Sequence, residues 1–171
     1  MQSKIKTYKD LIKRVEGFKI DQNIDLSSGE DLSIGIMNLI SIEEHLFFTY
    51  GKLKKKKYLD MLNEIRKMRT DLLREIIKDY EGEVWCISKH LLAASMRIME
   101  VGTKELKKGN IKKSEELFKK SYELYSLFWG LNLSKDSDDI KQPKDEKLQS
   151  GASVFAKLGD VVQKALDCCR E

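Results

Sequence analysis

Residues 56–80 read KKYLDMLNEIRKMRTDLLREIIKDY. Their apolar side chains fall at Tyr58, Met61, Leu62, Ile65, Met68, Leu72, Leu73, Ile76 and Tyr80, mostly three or four residues apart. That spacing gathers them into one stripe of an α-helix, whereas a strand would need alternation at every second residue. It is the strongest periodic signal in the chain, and it predicts a helix from about Lys56 to Tyr80.

The neighbouring segments read the same way. Upstream, Ser27-Ser28-Gly29-Glu30 has the form of a helix start, with a serine cap and a glutamate three residues on. A helix is expected from about Glu30 to Tyr50, with Gly51 as its stop and the lysine run Lys52–Lys57 as the connection. Downstream, Glu81-Gly82-Glu83 breaks the stripe. Glu83 to Lys107 then carries Val84, Trp85, Ile87, Leu91, Leu92, Ala94, Met96, Ile98, Met99 and Val101 on nearly every side. A helix apolar all round is normally the central one of a bundle. Lys108-Gly109-Asn110 is a short turn. A fourth helix follows from about Ile111 to Trp129, with Leu117, Phe118, Leu124, Tyr125 and Phe128 inward and Gly130 as its end.

Short connections make consecutive helices antiparallel. The expected fold class is therefore all-α: an up-and-down bundle of four main helices with additional N- and C-terminal helices. The added helices are amphipathic segments at 5–17 and 152–169. Residues 1–132 form the bundle domain. Residues 133–150, LSKDSDDIKQPKDEKLQS, form a polar linker or mobile loop. Residues 151–171 hold the C-terminal helix, expected to pack on the bundle or on a partner.

Composition bounds the function. A chain of 171 residues suits one domain that buries roughly 70% of its unfolded surface, so it needs no disulfide or structural metal to fold. Cys86, Cys168 and Cys169 make no disulfide framework and fit a reducing compartment. The start lacks an apolar leader core, and no run approaches the ~20 apolar residues of a membrane span. The expected location is cytoplasmic. Thirty-two basic and 28 acidic residues leave a net charge of only +4, which argues against a dedicated nucleic-acid binder. The Lys52–Lys57 segment could touch phosphates or an acidic membrane surface. A solvated connection between helices is the simpler reading.

Two constellations could carry chemistry. On the first helix Glu43 falls near the centre of the apolar face marked by Ile36, Ile40 and Phe47, Glu44 falls at its edge, and His45 points away. A carboxylate on an apolar face must find a partner or a proton. Pairing with Arg66, Arg69 or Arg97 is the commonest solution, and a metal ligand or general base is the alternative. On the third helix Cys86, His90, Ala93 and Arg97 stack at spacings of four, three and four, with Glu100 beside them. Cys86 and His90 could share a zinc or iron ion if Glu43 or Glu44 completed the site. Otherwise the stripe is a polar seam of Arg66, Arg69, Arg97 and Glu100. Di-iron Glu-x-x-His pairs, an HExxH motif and a glycine-rich phosphate loop are all absent.

Residues 95–127 resemble a single tetratricopeptide repeat. Val101-Gly102 stands at its Leu-Gly pair and Gly109-Asn110-Ile111 at its turn. Ser114, Phe118 and Ser121 stand at the small, aromatic and small positions of its second helix. The closing proline is replaced near Ser126, and there is one copy rather than an array. The resemblance implies a tight helical hairpin and, weakly, peptide binding. The wording of Glu83–Asn132 also resembles an uncharacterised family of small all-helical archaeal and prokaryotic proteins, which implies no activity. The expected function is a helical binding or scaffold module with a protein partner or a second copy. A metal-binding, conceivably enzymatic, bundle is the alternative, and weak nucleic-acid binding through Lys52–Lys57 comes third.

Overall fold

The computed structural model describes residues 27–78 and 83–133. The expected helices at 5–17 and 152–169, the polar segment after Leu133, and Tyr80, Cys168 and Cys169 lie outside the described residues. Within them the chain is all-helical. It forms α1 (Ser27–Leu53), α2 (Lys57–Ile76), α3 (Glu83–Lys107) and α4 (Ile111–Leu133).

The helices form two hairpins, α1–α2 and α3–α4, that pack together through α1 and α3. Small residues bring α3 and α4 close. The Ser95 and Ser121 hydroxyls each donate to the other residue's carbonyl, at 2.9 and 2.7 Å, and Ser114 Oγ donates to the Gly102 carbonyl at 2.9 Å. At Gly102 a Cβ would sit 2.8 Å from the Phe118 ring, so only glycine allows this approach. These pairings descend on one helix as they climb on the other, so α3 and α4 are antiparallel. The contact of Gly29 with Trp129 and the 2.7 Å hydrogen bond between Ser33 Oγ and Tyr125 Oη make α1 antiparallel to α4. It follows that α1 and α3 run in the same direction, and both hairpin turns lie at the same end of the bundle.

The core occupies the opposite end. Ile36, Leu73, Ile77, Leu92, Phe128, Trp129 and Leu131 are almost fully buried there, with Met37, Val84 and Leu91 around them. The three rings of Tyr125, Phe128 and Trp129 pack mutually, with centroids 5.1 to 6.4 Å apart. Ser33 Oγ spends its proton on the Glu30 carbonyl at 2.7 Å, so the partly buried Tyr125 hydroxyl is the donor in their shared bond.

Four expectations are corrected. The helix expected to reach Tyr80 ends at Ile76, because Ile77 takes an extended conformation, φ −92° and ψ 111°. Gly51 does not end α1, which continues to Leu53 and stops where Lys54 takes a left-handed φ of 52°. Gly130 does not end α4. A helical glycine costs about 1 kcal/mol, but Gly130 and Leu131 are buried, and packing against the core outweighs that cost. Nor is α3 sheathed on every side. It packs on α4 and α1, while Cys86, His90 and Arg97 form an exposed edge.

Candidate functional site

The polar residues singled out on α1 are both held by arginines. Glu43 Oε1 accepts from Arg69 Nε, and Oε2 accepts from Arg66 Nε at 2.9 Å. The Glu43 and Arg69 side chains are only 11% and 7% exposed, whereas Arg66 is 55% exposed. Burial by itself would raise the Glu43 carboxyl. The hydrogen bonds and charges of Arg69 and Arg66 outweigh it and hold the group below its ordinary value. The cluster lies between α1 and α2 and fastens that hairpin.

Glu44 joins a second, more open network. Arg97 of α3 donates Nη2 to Glu44 Oε2 and Nη1 to Glu100 Oε2, the latter at 2.5 Å. Arg97 therefore meets Glu44 rather than Glu43. Ser41, Glu44, His45, Phe48, Thr49, Lys52 and Arg97 line a cavity of about 270 Å³ between α1 and α3. That falls short of the roughly 300–1,000 Å³ of pockets that enclose drug-sized ligands.

Cys86 is a free, exposed thiol, and His90 is exposed on the same edge of α3. Among the described residues no three His, Cys, Asp or Glu side chains come together in a way that could hold a metal ion. Glu43 accepts from Arg69 of α2, and Glu44 from Arg97, two turns along α3 from His90.

The turn end has a different chemistry. From the Glu44–Arg97 pair, α1 runs on to Leu53 and α3 to Lys107, nearly equal lengths. The lysines after α1 and those around the α3–α4 turn are thereby brought to one end. Segments 50–61 and 101–116 hold ten lysines against Asp60, Glu105, Glu115 and Glu116. Their positive surplus exceeds the +4 of the whole chain. Large apolar side chains stand exposed on the same half: Phe47 at 59%, Phe48 at 55%, Leu53 at 50%, Leu106 at 45% and Ile111 at 52%. Phe47 marks the centre of the expected α1 apolar face, yet it is open, because at this level the side chain α1 turns inward is its neighbour Leu46, 6% exposed. The same holds on α2, where Met61 and Met68 belong to the apolar stripe and are exposed.

Backbone hydrogen bonds fix the α3–α4 turn. Asn110 N–H donates to the Glu105 carbonyl and Gly109 N–H to the Leu106 carbonyl, both at 3.0 Å. With Gly109 at φ 81°, this is the Schellman arrangement that closes a helix C-terminus. The Glu105 carboxylate also accepts from Lys108 Nζ and Asn110 Nδ2 at 2.6 and 2.7 Å. Of the turn-end lysines, those in Lys52–Lys57 form a run visible in the sequence. The second lysine group joins it only through the parallel course of α1 and α3, which no local pattern encodes.

Comparison with protein-family models, with curated proteins and with solved structures finds no match for this chain. No helix among the described residues is long and apolar enough to cross a membrane.

Proposed function

We propose that this chain is a helical binding module and that it binds through the turn end of the bundle. The observation that carries the reading is the exposure of Phe47, Phe48, Leu53, Leu106 and Ile111 on the turn half of the bundle, where they outnumber the exposed Ile34 and Ile42 further back on α1. Exposed apolar groups gathered in one region mark interaction surfaces far more often than scattered ones do. The exposed Met61, near the start of α2, suits the same role, since methionine adapts its shape to a partner. The polar clusters of Glu43 and Glu44 support the reading from the other side, because their charges are used in holding helices together.

A photo-crosslinking amino acid tests it. Placed at Phe48 or Leu53 in the full chain in native extract, it should capture a specific adduct: a protein, a second copy or a lipid. Placed at the exposed Asn38, near the core end, it should not. Equal capture at both places, or none at either, overturns the reading.

A further inference from the structure

We infer that the turn end docks on an anionic lipid surface. The inference rests on the binding-module reading above and names the partner of that same site. Charge complementarity is its first support. The fold concentrates ten lysines at this end. Among the described residues the acids they pair with are Glu105, at 2.6 Å from Lys108, and Glu116, at 3.5 Å from Lys113. Lysine groups of this kind bind acidic headgroups of a membrane leaflet.

The side chains between the lysines choose lipid over nucleic acid. Leu53, Leu106 and Ile111 are half-exposed aliphatic groups placed next to Lys52, Lys54, Lys107 and Lys112. The exposed Phe47 and Phe48 rings lie more than a turn back from the tip of α1 and pack edge to face on each other, centroids 5.3 Å apart. An aliphatic group offers no ring for a base to stack on, and stacking carries sequence-tolerant nucleic-acid binding. It does gain by entering the boundary between headgroups and acyl chains, while neighbouring lysines keep their charges in water. The two tyrosines nearest the lysine run are already under it: Lys54 Nζ lies 5.6 Å from the Tyr50 ring and Lys57 Nζ 5.1 Å from that of Tyr58.

Geometry completes the case. Leu53 closes α1, and Leu106 and Ile111 flank the α3–α4 turn, so all three sit at the tips of parallel-running hairpins. A planar surface can meet both tips at once. The Schellman closure at Gly109 holds one tip in shape before docking, so little ordering is lost on binding.

Co-sedimentation of the full chain with vesicles is the test. The chain should bind phosphatidylcholine vesicles containing phosphatidylserine, release them as salt rises, and leave pure phosphatidylcholine vesicles unbound. Each lysine near such a surface multiplies partitioning about five-fold. K54Q/K55Q/K56Q/K57Q should therefore lower binding by roughly six-hundred-fold, and K119Q/K120Q, mid-helix on α4, should leave it unchanged. L53N/I111N keeps every lysine, and with an unaltered circular dichroism spectrum it should still lose most vesicle binding. Failure to bind the acidic vesicles overturns the inference, as does vesicle binding that L53N/I111N leaves intact. Tighter binding to mixed-sequence single-stranded RNA than to vesicles also overturns it. If vesicles fail while the crosslinker at Phe48 or Leu53 still captures a protein, the lipid inference falls and the binding-module reading stands.

Discussion

Glu43 on α1 accepts a hydrogen bond from Arg69 on α2 with both side chains almost wholly buried, 11% and 7% exposed. The pair is the polar centre of the first hairpin. Removing one member leaves the other charge poorly solvated, whereas removing both leaves no buried charge, since Arg66, the other partner of Glu43, is 55% exposed and reaches water. Arg69→Met should cost about 1–3 kcal/mol of stability, and Glu43→Met a similar amount. The double variant should lie closer to wild type than the two losses added together. Urea denaturation of the four proteins measures the coupling. Simple additivity would mean that the pair does not fasten the hairpin.

The same carboxylate sets a pH dependence. Its folded pKa lies below the ordinary 4.5. The stabilisation it gives is therefore complete above that ordinary value and is lost as pH falls through the lower folded one. The stability gap between wild type and Glu43→Gln should be widest near neutrality and should shrink in acid. Denaturation curves of both proteins across that range decide it, and a gap that grew in acid would give the carboxyl the opposite shift.

Two glycines in helices should respond with opposite signs. At Gly35 a Cβ would meet nothing within 4 Å, so Gly35→Ala should gain about 0.5–1 kcal/mol from backbone entropy alone. At Gly102 it would meet the Phe118 ring at 2.8 Å and Leu117 Cβ at 3.3 Å. Overpacking of that kind costs about 1–3 kcal/mol, so Gly102→Ala should lose stability despite its better helix propensity. Thermal melts of the two variants give the comparison.

Lys54 holds the left-handed conformation that ends α1. A side chain there costs roughly 1–2 kcal/mol that glycine avoids. Lys54→Gly should raise stability by about 1 kcal/mol, measured by urea denaturation. Gly51→Ala should behave like a helix-interior change and also stabilise, since its Cβ would meet nothing within 4 Å.

The helices themselves were legible because each carries its own record. The apolar stripe specifies α2 as far as Ile76, short of the expected Tyr80, and the Glu83–Lys107 segment matches α3 at both ends. Ends failed where tertiary packing overrode a local signal, as at Gly130, buried against the core. Burial failed for a similar reason. Phe47 and Met68 lie on apolar faces, yet a face is buried only where another helix reaches it, and the register between hairpins decides that. At Glu43 the need for a partner could be read from the sequence, with Arg66 and Arg69 among the candidates. That Arg97 would turn to Glu44 could not, because nearly adjacent residues on a helix face different neighbours. The turn-end surface was the least legible feature, since its two halves lie some fifty residues apart.

That surface exists only if both hairpin turns lie at one end of the bundle. Spin labels on Cys-substituted Lys55 and Lys108, in a background with the native cysteines replaced, measure this by pulsed dipolar spectroscopy. The expected distance is well short of the length of α4, about 35 Å for 23 residues. A distribution centred at or beyond that length would place the turns at opposite ends and contradict the assembled basic surface.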